Sequence, residues 1–172
     1  LCNSKIAIID REIKTANDRT WCFWSKPSDD ITFPTVAQWN KLEFLSSQSA
    51  FEKKLSPYTY SCIFSKDFYD VILEKAKAFK NVEFITTDVR DIIDGEDCAT
   101  VITNIGAYRA KQVFSSLWKQ APFTSKFFLW QNFSGWFIKT NKPVFKASTI
   151  RLMDFRAPQE SETQFFYVLP FS

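Results

Sequence analysis

The chain has 172 residues, enough for a domain of ordinary size with a sizeable core. Its 22 basic and 19 acidic residues leave a net charge of +3, too balanced for the strongly basic face that nucleic acid calls for. Histidine is absent, which excludes a Ser-His-Asp triad, a Cys-His pair and a His-Glu-x-x-His zinc helix within this chain.

Chemistry must therefore rest on carboxylates, Lys, Tyr, Cys or a bound cofactor, and no metal site is expected. Phe, Tyr and Trp make up 17% of residues. That content suits either a Phe-rich core or a pocket for a large apolar ligand. Lys111, Lys119, Lys126, Lys139, Lys142 and Lys146 are interleaved with aromatics. They read as a solvated sheet face or as a patch for an anionic membrane surface. Cys2, Cys22, Cys62 and Cys98 are widely spaced, which fits free thiols in a reducing compartment better than a disulfide framework or zinc site. No apolar run approaches the roughly eighteen residues of a membrane-spanning helix.

Along the chain, Lys5–Ile9 reads as a short buried strand ended by Asp10. An acid at that position accepts hydrogen bonds from ribose hydroxyls in dinucleotide-binding units, and an ordinary turn-forming Asp gives the same pattern. The glycine-rich turn that belongs about twenty residues upstream is missing: nine residues precede Asp10 and none is glycine. The chain reads as starting inside a domain. Residues 15–18 are turn-like, Trp21–Trp24 is a compact apolar knot, and 26–34 reads as a loop. Lys41–Leu45 alternates like a half-buried strand, and Tyr58–Phe64 is a second candidate. Phe68, Val71, Ile72, Ala76 and Phe79 recur at helical spacing, predicting a helix over Lys66–Phe79 with Ser65 as N-cap. Val82–Ile85 then reads as a strand, and Val89–Ile93 with Ala99–Thr103 as a hairpin. Gly106 opens a turn, and Ala110–Phe114 leads into another strand. Residues 117–126 are irregular, and strand-like runs follow at Gly135–Ile138, Thr149–Met153 and Gln164–Leu169. The class is mixed α/β, with strands outnumbering helices.

Seven segments carry a family resemblance. They are Ile8-Ile-Asp10, Asp18-Arg-Thr-Trp-Cys-Phe-Trp24, Ser56-Pro-Tyr58, Gly106-x-Tyr108-x-Ala110, Phe133-x-Gly135-Trp-Phe-Ile138, Met153-Asp-Phe-Arg156 and Tyr167-Val-Leu-Pro-Phe-Ser172. Together they resemble the lycopene cyclase family, flavoproteins of the glutathione-reductase-like superfamily that close the end rings of carotenoids. The resemblance implies a partial Rossmann-like FAD-binding domain (1–24 and 65–116) and a β-sheet substrate domain (25–64 and 117–172). It implies FAD with NAD(P)H as reductant, lycopene converted to β-carotene without net redox change, and a cytoplasmic protein peripheral to the membrane. By motif, Asp10 would bind the ribose, Arg19, Thr20 and Trp21 would lie near the flavin or cavity mouth, and Val89 would offer backbone contacts to adenine. Asp154 and Arg156 would act in the substrate cavity, or pair structurally. Arg19 paired with Asp18, Trp21 in the core and Val89 as an ordinary strand residue are the alternatives.

Three family features are missing: the N-terminal Gly-x-Gly-x-x-Gly loop, the acidic catalytic motif expected beyond Ser172, and the C-terminal glycine-rich segment. The chain thus reads as an internal fragment that is inactive alone and does not hold FAD. Two other readings remain open. One is a non-catalytic module for an apolar ligand or membrane surface; the other is a related flavoprotein, a geranylgeranyl reductase or aromatic hydroxylase.

Overall fold

The computed structural model describes residues 4–30, 33–117 and 127–171. In chain order the elements are β1 (Ile6–Asp10), β2 (Thr20–Ser25), β3 (Ala37–Trp39), β4 (Lys41–Leu45), β5 (Ala50–Lys54), β6 (Thr59–Phe64), α1 (Ser65–Lys77), β7 (Val82–Thr86), β8 (Val89–Ile93), β9 (Ala99–Thr103), β10 (Ala107–Ala110), β11 (Thr149–Asp154) and β12 (Phe166–Val168). This is a mixed α/β chain, mostly sheet with one short helix among the described residues. Two compact units divide it: one is built from Lys14–Val82 with the segment from Lys142 onward, the other from Ser4–Ile13 with Glu83–Asn141.

The first unit holds two sheets, ordered β2-β6-β3 and β12-β11-β4-β5. In the antiparallel β2-β6-β3 sheet, Trp24 lies opposite Tyr60 and Tyr60 opposite Trp39; one step along, Cys22 lies opposite Cys62 and Cys62 opposite Ala37. Side chains directly opposite share a face and successive ones alternate, so these two rows form one side of the sheet. That side carries the core of the unit, where Trp39, Leu55, Tyr60, Cys62 and Ile150 are buried against Leu42, Leu152 and Leu169. Trp21 points to the opposite side, edge-on to Phe68 and Tyr69 of α1 at centroid distances of 5.2 and 5.7 Å. The supposed apolar knot is thus a strand with both faces packed, which a continuous apolar run cannot distinguish from a buried helix turn.

Helix α1 forms where its stripe predicts, with Phe68, Val71, Ile72 and Ala76 half-buried and Phe79 beyond the helix and exposed. Ser65 is not its N-cap. Phe64 holds that position without a side-chain cap, and the Ser65 hydroxyl bonds to residues 17–19 instead.

In the second unit β1 pairs with β7, and β8, β9 and β10 form a meander. The predicted hairpin is present, with Ile92 opposite Val101 and Ile93 opposite Thr100. Gly106 turns β9 into β10 at φ +156°, a conformation L side chains rarely adopt. Thr103 donates to its carbonyl from both N–H and hydroxyl, at 2.9 and 2.8 Å.

Three expectations need correction. The strand expected over Ala110–Phe114 ends at Ala110. The run Gly135–Ile138 belongs to none of the sheets, and Trp136, Phe137 and Ile138 are exposed; β-forming composition becomes a strand only beside a partner ladder. The sequence grouping of 1–24 with 65–116 also differs from the units observed, because β2 is hydrogen-bonded to β6 and α1 packs on Trp21. Of the irregular stretch 117–126, residues 118–126 lie outside the described residues, as do Cys2, Lys119 and Lys126.

Candidate functional site

Asp154 ends β11, next to a bulge. Arg151 lies opposite Glu43, and Met153 opposite Phe44, so one residue is extra between them. The bulge breaks strict alternation and turns Arg151, Asp154 and Glu43 to one face. There Asp154, 5% exposed, accepts from Arg156 Nε at 2.8 Å and Nη2 at 2.7 Å, with Arg151 Nη1 3.5 Å away. This bidentate grip holds the carboxyl down at about pKa 2. Asp154 and Arg156 are thus brought together, through a turn rather than along an alternating strand. Arg151 continues to Glu43 at 3.2 Å, Glu43 to Lys146 at 2.8 Å, Lys146 to Glu52 at 3.0 Å and Glu52 to Lys41 at 3.4 Å. Seven groups of alternating sign therefore cross one sheet face. The hydrogen bond from Lys146, helped by Arg151, pulls Glu43 below its ordinary value. A cavity of about 100 Å³ beside this face is lined by Glu43, Lys146, Thr149, Arg151 and Val168.

The core side of β2-β6-β3 carries a different set. Trp39 Nε1–H donates to the Pro170 carbonyl at 2.9 Å, and its ring meets Phe171 at 6.0 Å. The segment after β12 is thereby fixed across this sheet. Tyr167 donates to the Tyr60 hydroxyl at 2.5 Å, and Trp24 lies 4.5 Å from Tyr60. Cys22 lies on the same face, directly opposite Cys62. The Cys62 thiol and the tyrosine hydroxyls pull Cys22 down to about 7. Cys62 is pushed up by its bond to Cys22 and by burial, and Tyr167 by burial and its bond to Tyr60. Trp24 and Tyr167 remain partly open, at 46% and 38% exposure.

Arg19, Thr20 and Trp21 lie in this same unit. The Arg19 guanidinium lies 3.8 Å from Asp18 and is well exposed. Its backbone does more: Arg19 N–H donates to Ser65 Oγ at 3.0 Å and its carbonyl accepts from Ser65 N–H at 2.9 Å. Ser65 Oγ donates to Asp18 at 2.9 Å, which lowers the pKa of that carboxyl. The Asp-Arg pair therefore anchors β2 to the start of α1. Thr20 is exposed, and Trp21 packs on α1.

Asp10 and Val89 belong to the second unit. Asp10 ends β1, with Glu12 N–H on its Oδ1 at 3.2 Å and Thr87 N–H on its carbonyl at 2.9 Å. Val89 begins β8 two residues beyond Thr87, so these two predicted residues share one end of their unit. Tyr60, Tyr167, Cys22, Cys62, Arg151 and Glu43 were not named as site residues from the sequence. The one signal for them is the i, i+2 spacing of Cys22 with Trp24 and of Tyr60 with Cys62, which becomes informative once β2 and β6 are known to pair.

The family model described as lycopene cyclase protein matches residues 3–172. The chain belongs to the lycopene cyclase family. No curated protein matches the chain. Membership in a lycopene cyclase family supports a carotenoid-cyclase type of enzyme and a place in carotenoid biosynthesis. Among the described residues no helix is long and apolar enough to cross a membrane.

Proposed function

We propose that the chain is part of a lycopene β-cyclase that closes the end rings of lycopene to give β-carotene. The carrying observation is the Tyr167–Phe171 segment fixed by Trp39 across the row Trp24, Tyr60 and Trp39. Ring closure starts with a proton added to a terminal double bond, passes through a carbocation and ends with loss of a ring proton. Aromatic faces attract a cation through their quadrupoles, and Trp24, Tyr167 and Phe171 are the aromatic groups left partly open here. A carboxyl held at about pKa 2 is no proton donor at neutral pH. Asp154 and Arg156 accordingly serve this reading as a fixed ion pair, and the initiating acid is another group.

FAD and NAD(P)H dependence belong to the same proposal. Asp10 fits the ribose hydroxyls as acceptor, and the backbone at Val89 fits the adenine edge. The fit is partial, since no helix N-terminus lies among the described residues of that unit to receive a pyrophosphate. Reduced flavin, when bound, supplies electrostatic stabilisation of the cation. Arg19, Thr20 and Trp21 act in this reading by setting β2 against α1, so that Cys22 and Trp24 face the aromatic row.

A peripheral membrane position, on the cytoplasmic side, is also proposed. Phe127, Leu129, Trp130, Trp136 and Phe137 are all exposed within 127–141, where Lys139 adds a cation for an anionic lipid surface.

Expression of the whole cyclase that contains this chain, in lycopene-accumulating cells, tests the reading. Cyclisation leaves the substrate mass unchanged and shortens the conjugated chromophore. Geranylgeranyl-type reduction adds hydrogens and hydroxylation adds oxygen, so a mass change overturns the proposal in favour of a related flavoprotein. Unaltered lycopene together with binding to lipid vesicles favours the non-catalytic module.

A further inference from the structure

We propose that Cys22 and Cys62 are a site of reversible oxidation, which a hydroperoxide joins into a disulfide tying β2 to β6. The two residues lie directly opposite in the antiparallel β2–β6 pair. Their side chains therefore share a face, and directly opposed residues have Cα atoms about 4.5–5.5 Å apart. A disulfide needs about 4.4–6.8 Å, so the register puts the two residues within bonding range. Each thiol is the neighbour that most shifts the other.

Their environments also divide the labour. Cys22 is half-buried, whereas Cys62 is fully buried. An oxidant reaches the first, and the second waits behind it as the resolving thiol. The thiolate is the reactive form of cysteine, and the neighbours of Cys22 favour that form through the Cys62 thiol and the hydroxyls of Tyr60 and Tyr167. Cys98 offers the contrast. It accepts from the Arg109 guanidinium at 2.9 and 3.2 Å, in the other unit from Cys22 and Cys62.

The step balances as follows. The Cys22 sulfur attacks one peroxide oxygen, the O–O bond breaks, and the other oxygen leaves with a proton as alcohol or water. Cys22 is then a sulfenic acid. The Cys62 sulfur attacks that sulfur and displaces the hydroxyl, which takes the Cys62 proton and departs as water. In sum, two thiols and one hydroperoxide give one disulfide, one alcohol or water, and one water. Oxidation removes the Cys22 thiolate, so the Tyr60–Tyr167 hydroxyl pair loses its sulfur acceptor. In a reducing compartment the pair rests as two thiols and oxidises only transiently.

Hydrogen peroxide treatment of the intact chain, thiol blocking with N-ethylmaleimide and peptide mass spectrometry test this. The expected result is a Cys22–Cys62 cross-linked peptide that disappears on reduction with dithiothreitol. In C62S, the sulfenic acid of Cys22 should persist and be trapped by dimedone. Recovery of both Cys22 and Cys62 as maleimide adducts, at peroxide doses that oxidise Cys98, overturns the proposal. So does a cross-link in which Cys2 or Cys98 is the main partner of either residue.

Discussion

Asp154 carries two guanidinium groups, and its removal takes the counter-ion from Arg156 and leaves Arg151 with Glu43 alone. Asp154→Ala should cost about 1–3 kcal/mol, the usual range for losing hydrogen bonds to a charged group, read as a lower urea midpoint. Because the folded carboxyl titrates near 2 against an ordinary 3.8, its contribution is complete above about pH 4. It is lost as pH falls toward 2, since the unfolded chain then binds the proton first. The acid limb of a stability curve should therefore flatten between those values in Asp154→Ala. If acid unfolding of the variant follows the parent, the ion pair is not formed in solution. Asp10 is probed differently. In a flavin-binding preparation of the protein, Asp10→Ala should weaken FAD by about ten- to a hundredfold, corresponding to roughly 1.5–3 kcal/mol. Flavin absorbance after gel filtration measures it, and undiminished retention removes Asp10 from the ribose.

The junction between β2 and α1 rests on one hydroxyl. Ser65 is fully buried, accepts from Arg19 N–H and donates to Asp18. Ser65→Ala orphans that N–H, at a cost of about 1–3 kcal/mol, and should raise amide exchange at Arg19 and in the first turn of α1. Unchanged exchange would show that water replaces the hydroxyl. How much of this was legible in the sequence differs by element. Lys41–Leu45, the 89–103 hairpin and α1 could be read because period-2 and period-3.6 patterns are local. Gly135–Ile138 has the same local signature yet no strand forms, because a strand is completed by its partner. The Tyr60–Tyr167 and Cys22–Cys62 contacts were not legible, since they depend on pairings 107 and 40 residues apart. The Asp154 face was hidden by a bulge that composition does not announce.

At the scale of the whole chain, the first unit is closed by Trp39. Its ring is 1% exposed, and its N–H holds the chain at Pro170. Trp39→Ala should cost about 3–5 kcal/mol and free the 169–171 segment together with Tyr167. Limited proteolysis after residue 165 checks the second effect; a protected C-terminal segment would show that Phe171 and Tyr167 hold it without Trp39.

The seven alternating charges across β11, β4 and β5 make the cost of a substitution depend on where in the series it falls. Dropping a terminal member such as Lys41 leaves Glu52 still answered by Lys146, so Lys41→Gln should stay within about 0.5 kcal/mol. Dropping Glu43 sets Arg151 beside Lys146, and Glu43→Gln should cost about 1–3 kcal/mol. Losing Glu43 and Lys146 together should then cost less than the sum of the separate losses, a coupling that a double-mutant cycle reads directly. Interior members of the series are therefore replaceable only in neighbouring couples, and drift along this face should proceed by paired steps.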